Sequence, residues 1–459
     1  MPGRAVLAWL GDRPRIILAI IVALGLLITA LHRGPLYAGG DGPDYLAGAY
    51  HLYHSHVFSQ AETAGAVPPG IGREPFYSLA LAGLMTVDPA LRTYSTDCIH
   101  SACDVHIYRS AALLNLALTI LTGIVLYFVG ARATGRPLGG LVAAGYVLFN
   151  LQTNKGWGPI ASDRLAVLAL SLAMLAVAYA WGTRSWRWLL VGLALAALTL
   201  TKAVFLYFTL AAIGAAVVVA FANRRPVRMV APAAILTVAV FAAIIGGWTA
   251  RNAHISGQWR LTDARGGIAL NTREVFNHMS GEQYAASFVY WMRGPGEGLA
   301  RKLFPPAVVK PFDLEQPGGF YDAGQNGYGM RVADRMKATG EDYWTAEHAV
   351  EQEVRSAILQ RPFTHLATTI PLFYRGIWGD EFIVVGLPLF FVAIVAAARE
   401  RRWLMLILLS AGAFNLVFYA AFSLNIPRYQ MTALPSVAIA VGYMATRFAG
   451  RRRNRERPT

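Results

Sequence analysis

The chain has 459 residues, 55% hydrophobic and only 15% charged, with a formal net charge of +15 at pH 7. Apolar runs recur along most of its length, which excludes a soluble domain with one anchor and marks a polytopic membrane protein. The positive charge does not point to nucleic acid, because it is gathered in short loops between apolar runs.

Those basic loops hold Arg13 and Arg15, Arg132 and Arg136, Arg184 and Arg187, Arg224 to Arg228, Arg399 to Arg402, and the tail from Arg447 to Arg457. This is the positive-inside pattern, and it predicts cytoplasmic termini. The tail reads as a topology anchor near anionic lipid.

Roughly ten runs approach the length a bilayer needs: 15–31, 108–130, 137–152, 162–181, 186–201, 203–221, 229–249, 381–398, 403–422 and 427–447. The predicted fold is therefore all-α and polytopic, with two large outer loops carrying surface helices, at 32–107 and 250–380. The organisation follows as a transmembrane module over 1–249 that includes the first loop, the large outer loop 250–380, and C-terminal helices with a basic tail over 381–459. The first run lacks a small-residue cleavage site and reads as a retained helix.

Directly after the first run comes Gly40-Asp41-Gly42-Pro43-Asp44-Tyr45. Carboxylates at a helix–water boundary are costly when partly buried and so mark function. Asp44 is equally a natural helix N-cap. Tyr45, Ala49 and Leu52, beside Leu46, Tyr50 and Tyr53, have helical spacing and predict an amphipathic surface helix. Pro68-Pro69-Gly70 breaks the chain, and a second surface helix is predicted from Pro75. Phe76–Met85 is too short to span, and spanning there would reverse every later loop.

Cys98 and Cys103 leave two readings open, a small disulfide loop or two thiols. His51 and His54 stand one helical turn apart, so they either share a metal or line the polar side of their helix. Asp163, in Ser162-Asp163-Arg164, is either a site acid or an N-cap. Lys202 is a lone lysine at an outer boundary, against the charge bias, which suits a phosphate ligand. Phe312–Met330, rich in Gly, Pro and Tyr, reads as an irregular flap. Glu341–Gln360 has helical periodicity and stops before Pro362.

Several motifs together carry a resemblance. Asp41-x-x-x-Tyr45-x-x-x-Ala49-x-x-Leu52 is followed by Phe58-Ser59 and then Arg73-Glu74-Pro75-Phe76-Tyr77. Gly247-Trp248-Thr249-Ala250-Arg251-Asn252 ends a span and is followed by Gly257, Gly266-Gly267 and Leu270; Arg361-Pro362 and Pro427-Arg428-Tyr429 come later. In this order they resemble the GT-C superfamily of integral membrane glycosyltransferases, and most of all the protein mannosyltransferase and aminoarabinose transferase group. Gly247 stands where that group has proline, Gly42 separates two acids that relatives place side by side, and Glu74 stands where they often carry proline.

The resemblance implies a sugar donor carried on polyprenyl phosphate and an acceptor hydroxyl on a lipid, glycan or protein, with inversion at the anomeric carbon. It implies Asp41 as the catalytic base with Asp44 as the other acid, and Arg73, Lys202, Arg251 and Arg428 as contacts to the carrier phosphate. Tyr45, Glu74, Tyr77, Asp163 and Asn252 are the implied substrate contacts. A divalent metal ion is left open, since some GT-C enzymes use one and others do not. The arginine- and alanine-rich composition suggests a GC-rich bacterium, hence an inner-membrane protein with its site facing the periplasm. The alternatives are a transporter or lipid flippase, against which the absence of a detectable repeat weighs, and a membrane scaffold binding partners through 250–380.

Overall fold

The computed structural model describes residues 13–31, 36, 40–61, 63, 67–94, 98–99, 105–151, 160–183, 186–222, 227–263 and 265–455. Among them all regular structure is helical. The helices are α1 Pro14–Leu31, α2 Gly42–Ser55, α3 Pro75–Met85, α4 Pro89–Arg92, α5 Val105–Thr134, α6 Pro137–Leu148 and α7 Asp163–Ala180. Next come α8 Arg187–Thr199, α9 Val204–Ala222, α10 Val227–Ser256, α11 Arg265–Val275, α12 Gly281–Tyr290, α13 Gly296–Leu303 and α14 Pro306–Val309. The chain closes with α15 Phe320–Thr339, α16 Tyr343–Gln360, α17 Pro362–Ile377, α18 Ile383–Arg399, α19 Trp403–Phe422 and α20 Leu434–Arg455.

Every predicted apolar run coincides with a helix, although the last opens with the 3-10 segment Pro427–Ala433. Among the described residues five helices are long and apolar enough to cross a membrane: α1, α5 from Ile107, α7, α10 from Ala231, and α19. Shorter apolar helices include α3, α6, α8 and α18.

The chain divides into two units. The first comprises 1–262, 384–412 and 432–459. Its interior is built where α2 and α3 pack together: Tyr45, Leu46, Ala49, Tyr77, Leu81 and Met85 are buried with Ile107, Ile160 and Leu165. α2 is thus embedded along its first half. A buried His51 corrects the picture of a polar-side histidine there. Close helix approach in this unit depends on small residues. A Cβ on Gly140 would lie 2.1 Å from the Tyr127 carbonyl oxygen, and one on Gly442 would lie 2.2 Å from that of Gly139. Glycine is what lets apolar helices meet backbone to backbone.

The second unit comprises 263–383 and 413–431. Its core stacks Phe276 on Phe320, centroids 4.9 Å apart, among Trp291, Phe312, Leu372 and Leu424. The flap predicted over Phe312–Met330 is instead mostly helix, since α15 starts at Phe320. Composition misleads here because the helix is fastened locally. The Asp322 carboxylate accepts the Gly318 N–H and the Asn326 side-chain amide, while Tyr328 and Val332 are buried against α16. The helix predicted over Glu341–Gln360 is present, capped by Asp342, whose carboxylate accepts the Trp344 and Thr345 N–H groups.

Candidate active site

The site residues of the first unit gather around the start of α2. Asp41 and Asp44 lie on either side of Pro43, and proline within the first turn presets the helical φ there. Neither acid acts as a side-chain N-cap of α2. Both turn to Arg73 instead: Nη2 is 2.5 Å from Asp41 Oδ1, and Nε is 2.7 Å from Asp44 Oδ2. The arginine side chain is 9% exposed, whereas the acids are 28% and 32% exposed, so the carboxylates face outward from a buried cation. Burial alone would lower the Arg73 pKa, but the charges of Asp41 and Asp44 reverse this and hold it above its ordinary value. Arg73 therefore stays charged.

Tyr45, one helical turn after Asp41, lies beneath the Arg73 guanidinium at 5.6 Å from ring centroid to Cζ. Its hydroxyl donates to Ser162 Oγ at 2.9 Å. Burial, with the Glu74 charge, pushes the Tyr45 phenol far above its usual pKa, so it serves as a donor and not as a base.

Ser162 ties in a second ion pair. Asp163, the first residue of α7, is not consumed by capping; Lys202 Nζ stands 2.5 Å from its Oδ1. Both side chains are nearly buried, at 12% for Lys202 and 5% for Asp163. Glu74 accepts the Ala203 N–H at 2.8 Å, and the Phe76 N–H donates to the Leu200 carbonyl, so the Arg73-Glu74 turn is pinned beside Lys202. Tyr77 donates to Asn115 Oδ1 at 3.0 Å. Asn115 was not singled out from the sequence, yet a lone amide inside an apolar helix was the available signal. Arg164 was also passed over. It is 3% exposed, and among the described residues none of its three guanidinium nitrogens has a hydrogen-bond partner.

Arg251 and Asn252 are placed differently. Arg251 Nη1 donates to the Gly70 carbonyl and to Asn252 Oδ1, Nη2 donates to the Phe58 carbonyl, and the guanidinium lies 4.6 Å from the Trp248 ring centroid. Asn252 is fully buried and donates to the Arg260 and Leu261 carbonyls. These two residues lock the end of α10 to the loop before α3. Arg428 belongs to the second unit, in the 3-10 segment Pro427–Ala433.

The Nε2 atoms of His51 and His54 bond the Ala61 and Arg92 carbonyls respectively. Among the described residues no three His, Cys, Asp or Glu side chains are grouped to hold an ion. Asp41 and Asp44 are both engaged by Arg73. Cys98 is disulfide-bonded, and Cys103 lies outside the described residues.

The architecture matches solved membrane proteins. The apo oligosaccharyltransferase of Archaeoglobus fulgidus superposes with a TM-score of 0.52 at 12% identity, over 96% of this chain and 51% of that one. The same protein in complex with Zn and sulfate gives 0.50 at 13% identity, over 95% and 49%. The fold is of the GT-C type. ArnT from Cupriavidus metallidurans, in the apo state, gives 0.39 at 12% identity, over 96% of this chain and 78% of that one. The chain spans about half the length of the oligosaccharyltransferase it matches. No protein-family model matches it, and no curated protein does so by sequence.

Proposed function

We propose that this chain is a membrane glycosyltransferase that moves a sugar from a polyprenyl-phosphate carrier to an acceptor hydroxyl at the outer face of a bacterial inner membrane. The observation that carries the reading is the pair of partly exposed carboxylates, Asp41 and Asp44, held on one buried arginine. A general base must reach the acceptor, and a partly exposed carboxylate held in one orientation meets that need. The fold supports the same class, since the A. fulgidus protein of similar architecture is an oligosaccharyltransferase whose structure is also known tethered to an acceptor peptide.

In this reading Asp41 takes the acceptor hydroxyl proton. The acceptor oxygen bonds to the anomeric carbon from the face opposite the phosphate, the carbon–oxygen bond to phosphate breaks, and polyprenyl phosphate leaves with the electron pair. Asp44 shares the Arg73 fork and fixes the orientation of Asp41. Arg73 and Lys202 supply positive charge as the phosphate departs. Arg164 adds a cation beside Asp163 that no described group neutralises by hydrogen bonding. Arg251 and Asn252 serve as scaffold for the loop that carries Arg73. No step is routed through a metal ion.

The test is transfer of labelled sugar in proteoliposomes from a panel of polyprenyl-phosphate sugars into total membrane acceptors. Label transfer by the wild type, and its loss in folded Asp41→Asn, is the expected result. Transport of an intact lipid-linked sugar across the vesicle without transfer would replace this reading with that of a flippase.

A further inference from the structure

α17 has two faces of opposite character. One face is spent on polar anchoring. Thr368, Leu372 and Arg375 are buried, and His365 Nε2 donates to the Ala421 carbonyl. Arg375 Nη1 donates to the Leu424 carbonyl, and Asn425 Nδ2 donates back to the Leu372 carbonyl. Arg273, fully buried on α11, completes the clamp by donating Nε to the Ala420 carbonyl and Nη2 to the His365 carbonyl, Thr368 and Thr369. The carbonyls of Ala420 and Ala421 belong to the last turn of α19, where a helix leaves acceptors without partners of its own. Cationic and donor side chains are the natural cap for that negative end.

The other face is bare and apolar. Phe363 is 84% exposed, Leu366 65% and Ile370 57%, and Leu359 at the end of α16 is 76% exposed. Phe363, Leu366 and Ile370 follow an i, i+3, i+7 spacing, which puts them on one side of a helix. No carboxylate occurs between Pro362 and Ile377, and exposed Arg361 stands at the helix start.

These two faces have a joint consequence. α19 is a 20-residue helix apolar enough to cross a membrane. A helix bonded through His365, Leu372 and Arg375 to the end of such a span is held at the depth where the span leaves the hydrocarbon. We propose that α17 is an interfacial helix whose Phe363–Leu366–Ile370 stripe lies in the acyl–headgroup boundary of the bilayer and seats the second unit on the membrane surface. A stripe of this kind inserts about 5–10 Å into the boundary. An acid-free helix flanked by arginine suits an anionic lipid surface. The proposal stands apart from the glycosyl-transfer reading, because it needs no site residue.

Full-length protein carrying Phe363→Cys, Leu366→Cys, Ile370→Cys or, as a control, Glu353→Cys on exposed α16 would be labelled with an environment-sensitive fluorophore. Each would be reconstituted in phosphatidylcholine–phosphatidylglycerol vesicles containing shallow spin-labelled lipid, with the unsubstituted chain fixing the background. The exposure of the three stripe residues means that their substitution leaves the fold intact, which size-exclusion in detergent verifies. The expected result is quenching by the spin-labelled lipid severalfold stronger at 363, 366 and 370 than at 353, with the opposite order for aqueous iodide. Iodide quenching at all four positions would overturn the proposal by placing the stripe in water. Shielding of the stripe from both quenchers would overturn it too, by showing that protein covers α17.

Discussion

Arg73 reaches back 32 residues to hold Asp41, its Nη2 standing 2.5 Å from the carboxylate oxygen. The same guanidinium holds Asp44 through Nε at 2.7 Å. One buried cation thus fixes the direction of both carboxylates.

Asp41→Asn keeps the shape of the Arg73 contact and removes the proposed base. Loss of a general base costs typically 10²–10⁴-fold in rate, so transfer is expected to fall by at least ~10²-fold while the protein stays folded, with its melting temperature lowered only by the weaker neutral contact to Arg73. Asp44→Asn is expected to cost less, and the comparison of kcat for the two variants in proteoliposomes measures the division of labour. Equal losses would make the pair, and not Asp41, the functional unit.

Arg73→Ala leaves two carboxylates facing each other without their cation. A lost charged hydrogen-bond partner costs about 1–3 kcal/mol, so the thermal midpoint falls and activity falls with it. Arg73→Lys restores charge but not the two-pronged geometry. It is expected to recover stability more than turnover, which paired melting and rate measurements separate.

Lys202 and Asp163 test structure against function. Removing one partner of a buried pair is costly, roughly 3–5 kcal/mol, so Lys202→Met should destabilise strongly. The double variant Lys202→Met with Asp163→Asn removes the stranded charge and should regain most of that stability. If the double variant also regains transfer, the pair is a structural strut only.

Gly267 tolerates no side chain. An added Cβ would meet the Tyr328 hydroxyl oxygen at 2.1 Å, and that hydroxyl donates to buried Glu347 at 2.8 Å. Gly267→Ala therefore forces α15 off α11, with an expected loss of about 1–3 kcal/mol by overpacking. Gly266→Ala, where a Cβ meets nothing within 4 Å, is the matched control in the same melting experiment.

His365 gives the second unit a pH dependence. Burial, then the Arg273 charge, pushes its pKa down to about 4 from the ordinary 6.5. Between those values the unfolded chain binds more protons than the folded one, so stability is complete above the ordinary value and is lost as pH falls from 6.5 toward 4. His365→Gln should flatten that part of the melting-temperature profile.

The sequence showed the helices and the identity of the acids, but not their partners. Asp41 and Asp44 were conspicuous because a glycine–proline turn isolates them after an apolar run. Nothing in their spacing says that Arg73 binds both. Arg251 looked like a phosphate ligand from its place at a span end, yet its donors bond the Gly70 and Phe58 carbonyls. A cation at a helix end has several possible acceptors, and only packing selects among them. The segment from Phe320 to Met330 looked irregular because Gly and Tyr suppress the helical signal, while Asp322, Tyr328 and α16 supply what propensity lacks.

By itself the sequence determined that this chain is helical, many times apolar over a membrane's thickness, and basic in its short loops, because hydropathy and charge bias act locally along the chain. Only the tertiary structure decided that Arg73 joins Asp41 to Asp44, that Lys202 meets Asp163, and that α17 grips the end of α19. Those contacts join residues far apart in sequence. Their energy comes from desolvated charges and close packing, which no local pattern encodes.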